Sequence, residues 1–433
     1  MRRVAVIGAG IAGLSAARSV VAAGGEAVVF EADDRVGGRI QTNRRDGFTF
    51  DVGAFIYLGS YTQSVDMMKE VGLGDSMAKV PAYGAMPRDG QLHYLDLSKP
   101  AGILRTPYLS TGDKLRLTKL LAKLGRHWKD LNYVDAAGIA RIDTDTVQEW
   151  CRRELNQDLL DYVAAVVVRG PWLSDPSYAS VGQLLWTMKN FFVPYFYGLD
   201  EGMDQLPRAM AAPLDVRLST PVVNVTDTGT GVEVTTADGT ETFDSAVLTT
   251  IAPVALELYP QMSGTARHHY ETTEYICSVN THIALSRRPD NPATYIMCSP
   301  REQVDLCGVI VDHLKARHRV PEGKGMLTTF CRHEWGLEHL DAPQDVILEK
   351  VLGYLSPYYG DLTSDVEDVE VGRWRHVVPI MSKGRFQSVD AFMRTTDPRA
   401  RVQLAGDLGP IPGVNASLVS GTLAGERAAG RTD

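Results

Sequence analysis

A chain of 433 residues with 44% hydrophobic and 22% charged side chains can bury a large core and predicts a globular protein of two domains. A formal net charge of −9, with basic residues scattered along the chain, excludes a basic nucleic-acid surface. No run reaches about 18 unbroken apolar residues, which excludes an integral membrane segment. Cys151, Cys277, Cys298, Cys307 and Cys331, an odd number without C-x-x-C spacing, predict reduced thiols and a cytoplasmic protein.

The chain opens with a short β-branched run, Val4 to Ile7, that predicts a buried parallel strand. Gly8, Gly10 and Gly13 follow at G-x-G-x-x-G spacing and lead into small apolar residues from Ile11 to about Ala23, which predict a helix packed on a sheet. Ala27 to Phe30 predicts a second strand, closed by Glu31 and Ala32. Such a βαβ unit binds a dinucleotide: the glycines let the backbone near a diphosphate, the N–H groups at Ile11 and Ala12 face it, and Glu31 accepts from a ribose diol. Next come Arg35, Gly37, Gly38 and Arg39, paired glycines beside a guanidinium suited to diphosphate charge.

GAGIAGLSAA, then FEADDRVGGR, then DVGA at 51–54 resemble the flavin amine oxidase / protoporphyrinogen oxidase superfamily. The resemblance implies bound FAD, with Gly53 and Ala54 beside the reactive edge of the flavin. Room there matters, because a substrate carbon must come within about 3–3.5 Å of the atom that takes hydride. Tyr57 reads either as a border of the substrate site or as a core tyrosine.

Residues 113–133 set leucines at helical spacing among basic residues, an amphipathic surface helix whose polar face is read as solvated, with peripheral membrane contact left open. Thr144 to Leu155 predicts a helix capped by Asp143 or Thr144, and Gly170-Pro171-Trp172 a break in the next apolar run. In 181–199 the aromatic residues Trp186, Phe191, Phe192, Tyr195, Phe196 and Tyr197 crowd together, and Pro194 predicts a kink or a helix end. The stretch reads as packed core, as the wall of a substrate pocket or as a membrane-docking patch. Glu201-Gly202-Met203 partly matches the superfamily segment that returns to the FAD domain.

Pro221 to Thr250 alternates β-branched residues with glycine turns, a β-meander; the resemblance puts the backbone at Val223 against adenine. There is no second dinucleotide fingerprint, which disfavours a reductase fed by NADPH. Residues 274–285 and 325–332 predict strands of a substrate-domain sheet. Many amine oxidases of the superfamily carry a lysine near Asn280 or Thr281, and this chain has none there. His333, Glu334 and His339 miss H-E-x-x-H spacing, so no metal is expected. Trp374 and His376 are candidates for lining the flavin, and the absence of cysteine from 374–386 implies non-covalent attachment. Gly406 and Asp407 close a last apolar strand, with Asp407 placed for the ribityl chain, and a small-residue helix opens at Asn415, Ala416 and Ser417 with its positive end toward the flavin.

These readings converge on an α/β protein. Its doubly wound FAD-binding domain, of the glutathione-reductase-like Rossmann type, is assembled from 1–75, 206–270 and 395–433. A mixed-sheet and helical substrate domain comes from 76–205 and 271–394. The expected activity is hydride transfer from a C–H of a hydrophobic small molecule to FAD, with O2 or another acceptor reoxidising the cofactor. A redox-neutral isomerase of a lipid or polyene, an oxidase of a simple amine and a non-catalytic scaffold are the alternatives. Neither 376–381 nor 411–415 holds an aromatic residue of the kind that steers amines in this superfamily, which argues against a simple primary amine.

Overall fold

The computed structural model describes residues 1–96, 99, 102–191 and 195–431. Phe192 and Pro194 fall outside them. Strand Arg3–Ile7 lies at the centre of a parallel sheet. Glu26–Phe30 and then Asp215–Arg217 extend it on one side, Ser245–Leu248 and then Val402–Leu404 on the other. Three separated stretches of chain therefore build one sheet. The antiparallel meander of Val222–Asp227, Val232–Thr236 and Gly239–Phe243 leads directly into its fourth strand, as the alternation predicts.

Helix Ile11–Ala22 covers this sheet and is crossed by the last helix, Val414–Ala428. The crossing is backbone on backbone. A Cβ added at Gly421 would lie 2.0 Å from the Ala12 carbonyl oxygen, and one at Gly425 would lie 2.3 Å from that of Ala16. Only glycine permits that approach, so the small residues read from the sequence have a definite partner.

A second sheet of seven strands has the order 366–374, 278–285, 325–331, 306–311, 295–297, 83–88, 91–96. Strand Ser278–Leu285 is buried along its whole length, polar residues included. Helices between 102 and 191 form the remaining layer, and Trp186 is buried there, edge-on to Tyr133 at 5.3 Å and to Trp172 at 6.0 Å. The aromatic stretch is thus core where it is described, with Tyr195 and Tyr197 half-buried on strand Tyr195–Leu199. No helix among the described residues is long and apolar enough to cross a membrane.

Three local expectations change. The basic helix runs Thr111–Arg126 and stops short of 133; beyond it the Asn132 side chain accepts from the N–H groups of Val134 and Asp135 and turns the chain. The next long helix is Val147–Glu154, capped by Thr146 and not by Asp143 or Thr144. Thr146 and Glu149 form a reciprocal capping box, the Glu149 N–H donating to Thr146 Oγ1 at 3.1 Å and the Thr146 N–H to Glu149 Oε2 at 2.8 Å. Asp143 instead accepts from Ser180 Oγ and the Phe386 N–H. Finally, helix Ala165–Trp172 continues past Pro171 and ends where Leu173 takes a left-handed φ of 55°.

Candidate cofactor site and the apolar face beside it

Gly8 leaves the first strand with φ 104°, and a Cβ at Gly13 would lie 1.8 Å from the Gly8 carbonyl oxygen, so both glycines are required by the protein's own packing. Gly10 is different: a Cβ there would meet nothing within 4 Å. Glu31 is fixed by two backbone donors, Ala9 N–H to Oε2 at 2.6 Å and Asp33 N–H to Oε1 at 3.0 Å. Ala32 is exposed beside it. The chain at 219–220 bonds back to the carbonyls of Glu31 and Asp33, which brings the strand of the exposed Val223 to this end of the sheet.

The Gly37 N–H donates to the Ala9 carbonyl at 2.9 Å, folding the paired glycines back over the first turn, where Gly38 faces Gly10. Arg35 secures the loop through the Gly38 carbonyl at 3.0 Å and Gln41 at 2.9 Å. Arg39, read from the sequence as a guanidinium for diphosphate charge, has partners within the protein. Its guanidinium lies 2.5 Å from Asp407 Oδ2 and 2.7 Å from the Val377 carbonyl. The Ala54 N–H donates to the Arg39 carbonyl, and a Cβ at Gly53 would lie 2.0 Å from that same oxygen. Residues 37–41, 53–54, 377 and 407 therefore converge at one edge.

At the far end, Gly406 takes φ 139° with open space where a Cβ would be, and Gly413 with φ 120° precedes the last helix. The Asn415 side chain is committed elsewhere. Its Oδ1 accepts from Ser64 N–H and Oγ, and its amide donates to Gln63, so it caps helix Thr62–Glu70 from across the chain. Among the described residues the N–H groups of Val414, Asn415 and Ala416 at the helix start have no protein acceptor, whereas the Ser417 N–H is bonded to the Gly413 carbonyl.

Trp374 donates its indole N–H to the Val52 carbonyl at 2.6 Å and so braces the Gly53 turn, and Asn280 Nδ2 reaches the same oxygen at 3.1 Å. His376 packs edge-on to Tyr275 at 5.3 Å; burial lowers its pKa, and Arg375 and Arg39 add to the effect. Tyr57 sits in the core. Its hydroxyl is buried without a partner, and burial followed by the charges of Asp51 and Asp204 pushes the phenol up. His333, Glu334 and His339 serve separate partners: the Cys277 N–H, Arg332 and Lys350 respectively.

Two groupings go beyond what the motifs of the sequence indicate. Asp51, at the start of the D-x-G turn, is buried against Lys315 Nζ at 2.9 Å and against Arg319. Burial alone would raise its pKa, but those two cations hold it at about 2. Lys315 also reaches Asp312 at 3.1 Å, so this lysine is locked between two carboxylates behind the turn. The polar residues of the buried strand SVNTHIAL were the available signal, since a fully buried polar strand requires partners. The second grouping is apolar. Phe55 packs against Phe330 with ring centroids 4.4 Å apart and planes tilted by 37°, within a cluster of Leu173, Ile276, Cys307, Ile310, Val377, Val378 and Ile380. It joins the Gly53–Ala54 turn to the second sheet.

Do these residues suit a flavin dinucleotide? The cradle at Gly10 and Gly406 leaves room that no protein atom uses. The first and last helices both begin at glycine with no side-chain cap and no acid in the first turn, leaving positive N–H ends. Both observations fit. A parallel sheet with two uncapped helix ends, an acid closing the second strand and an apolar face at the strand termini defines a dinucleotide-binding flavoprotein fold.

The comparisons name the class more closely. The chain belongs to the family described as flavin containing amine oxidoreductase, which matches residues 11–429. It is 29% identical over 198 residues to the mitochondrial protoporphyrinogen oxidase of Nicotiana tabacum, covering 44% of this chain and 37% of that protein. Putrescine oxidase of Kocuria rosea is 31% identical over 255 residues, 53% of this chain and 50% of the relative. The matches thus span half or less of these relatives' length. Among solved structures, cyclohexylamine oxidase from Brevibacterium oxydans superposes with a TM-score of 0.80 at 16% identity, over 99% of this chain and 98% of that one, a likeness of fold. The family to which the chain belongs is thus one of flavin-containing oxidoreductases.

Proposed function

We propose that this protein holds FAD non-covalently and oxidises a hydrophobic small molecule without an ammonium group at a C–H bond beside carbon or nitrogen. The observation that carries this reading is the apolar cluster of Phe55, Phe330, Val377, Val378 and Ile380 at the Gly53–Ala54 turn. A protonated amine brought to that edge finds its carboxylate, Asp407, already neutralised by Arg39 and meets the charge of Arg375 beside His376. Burying an ammonium ion without a counter-charge is costly, so an apolar substrate is favoured.

When bound, FAD supplies hydride acceptance, and O2 or another acceptor takes the electrons onward. The chain's own residues bind and orient. Glu31 is pre-set for the ribose, the uncapped helix ends for the diphosphate and the ring system, and Trp374 with Asn280 holds the turn rigid through Val52. The apolar cluster excludes water from the reacting edge.

The test is anaerobic mixing of the purified yellow protein with benzylamine, tyramine and putrescine and, separately, with porphyrinogens and polyenes. Flavin bleaching by a member of the apolar set and not by the amines is expected, and acid precipitation should release all the chromophore as FAD. Rapid bleaching by any of the three amines at sub-millimolar concentration restores the simple amine oxidase reading.

A further inference from the structure

Helix Arg385–Thr395 opens after Gly384, which takes φ 89°, and its first residue is an arginine only 7% exposed. A cation in the first turn opposes the helix dipole, and a buried guanidinium is costly unless a counter-charge meets it. None does. Arg385 donates from Nη1 to the His269 carbonyl at 3.1 Å and from Nη2 to Thr273 Oγ1 at 2.6 Å, and Nη2 lies 3.1 Å from His269 Nε2. Its Nε is buried without an acceptor, and it forms no ion pair among the described residues.

The groups around it carry no compensating charge. Burial, and then the charge of Arg385, lower the pKa of His269 to about 3, so the imidazole is neutral. Burial pushes the phenols of Tyr270 and Tyr275 well above their ordinary value. Burial pulls Arg385 itself down only to about 10, which leaves it charged at neutral pH. His269 Nε2 is also shared. It lies 3.0 Å from the Leu408 carbonyl, which needs a donor, and beside Arg385, which needs an acceptor, and a neutral ring nitrogen is one or the other. The carboxylate whose field reaches Arg385 is Asp407, and Arg39 already neutralises it. Two guanidinium groups thus share one carboxylate.

The excess charge stands at the candidate cofactor edge. Tyr275 packs on His376, the residue before the Val377 carbonyl that accepts from Arg39, and Leu408 follows Asp407 on the loop to the last helix. We propose that Arg385 supplies the buried positive charge that offsets the negative charge a bound flavin gains on reduction. The inference rests on the reading that the site holds FAD. A substrate C–H passes two electrons and one proton to the ring as hydride; the ring then carries one negative charge, and the oxidised substrate sheds a proton to solvent. Before the transfer the site holds one cation too many, and after it the charges cancel, so the arginine favours the reduced state. The diphosphate, the other anion of the dinucleotide, is provided for by the uncapped first helix.

The experiment is anaerobic equilibrium reduction of the flavin-loaded full chain against a reference dye, with the affinity for oxidised FAD measured alongside. At the dye ratio that half-reduces the parent, Arg385→Met should hold about tenfold less reduced relative to oxidised flavin, while oxidised FAD binds within about threefold of the parent. Arg385→Lys keeps the charge without the fork and should recover most of the difference. If Arg385→Met fails to fold, Arg385→Gln, which retains a donor for the His269 carbonyl, carries the same expectation. Reduction unchanged in the neutral variants overturns the proposal. An equal shift in Arg385→Lys makes the arginine a structural clamp and overturns it too. So does oxidised FAD bound about tenfold more weakly by the neutral variants, which assigns the arginine to the diphosphate. A parent protein whose chromophore is not FAD defeats the cofactor reading itself, a result distinct from these three.

Discussion

Where Val414–Ala428 crosses Ile11–Ala22, the contact is made by removing side chains; where the D-x-G turn meets the second sheet, it is made by burying charged ones. In the seam, Gly421 and Gly425 bring helix backbones together over Ala12 and Ala16, so the energy is dispersion at close range. In the junction, Asp51 and Asp312 face Lys315 and Arg319 out of water, with Thr42 Oγ1 and the Met203 N–H completing the shell of Asp51. The seam should fail when an atom is added, and the junction when a charge is lost. A buried ion network gains little net stability over an apolar core of the same shape, but removing one member leaves the others uncompensated.

Asp51→Asn should have the largest effect. The change keeps the shape and strands Lys315 and Arg319 with Asp312 as their counter-charge, at a cost of about 3–5 kcal/mol in urea denaturation. A loss below about 1 kcal/mol would mean that the junction tolerates charge removal and that the contrast with the seam is false.

The acid side of the stability profile sharpens the same contrast. His282 donates from Nδ1 to Thr328 Oγ1, because the Thr328 hydroxyl is itself donated to Asp312. Burial lowers its pKa to about 4, while in the unfolded chain it titrates near about 6.5. Between those values the unfolded chain takes a proton that the folded chain refuses, so stability falls as pH drops from about 6.5 to 4 and the effect levels off below. The full loss is on the order of 3 kcal/mol. His282→Gln should flatten that part of the curve relative to the parent. Parallel curves for the two proteins would remove His282 from the acid response.

The smallest effect lies in the seam. Gly421→Ala forces the helices apart and should cost about 1–3 kcal/mol with a matching loss of bound flavin. Gly353→Ala is the control, since its Cβ would meet nothing within 4 Å in helix Gln344–Tyr359; it should be neutral or stabilising by up to about 1 kcal/mol. Equal responses of the two variants would show that helix propensity, not close approach, governs Gly421.

The parts legible in the sequence are those where backbone geometry dictates residue type. G-x-G-x-x-G, the paired glycines at 37–38, the meander and the small-residue last helix are legible because a tight turn or a close crossing admits few residues, and those residues sit near one another in the chain. The capping box at Thr146 was equally present in its T-x-x-E spacing, though Asp143 and Thr144 competed as readings. Tertiary structure alone decided which distant groups meet. Nothing local tells Arg39 to pair with Asp407, Asp51 with Lys315 and Arg319, or Asn415 to cap a helix at Ser64. Any carboxylate can take any cation, and any amide can cap any helix. The choice follows from which strands the two sheets bring face to face, and that depends on packing across the whole chain. The apolar cluster of Phe55, Phe330 and Val377 has the same origin, since each residue reads alone as ordinary core and becomes a face beside the cofactor turn only when three remote segments converge.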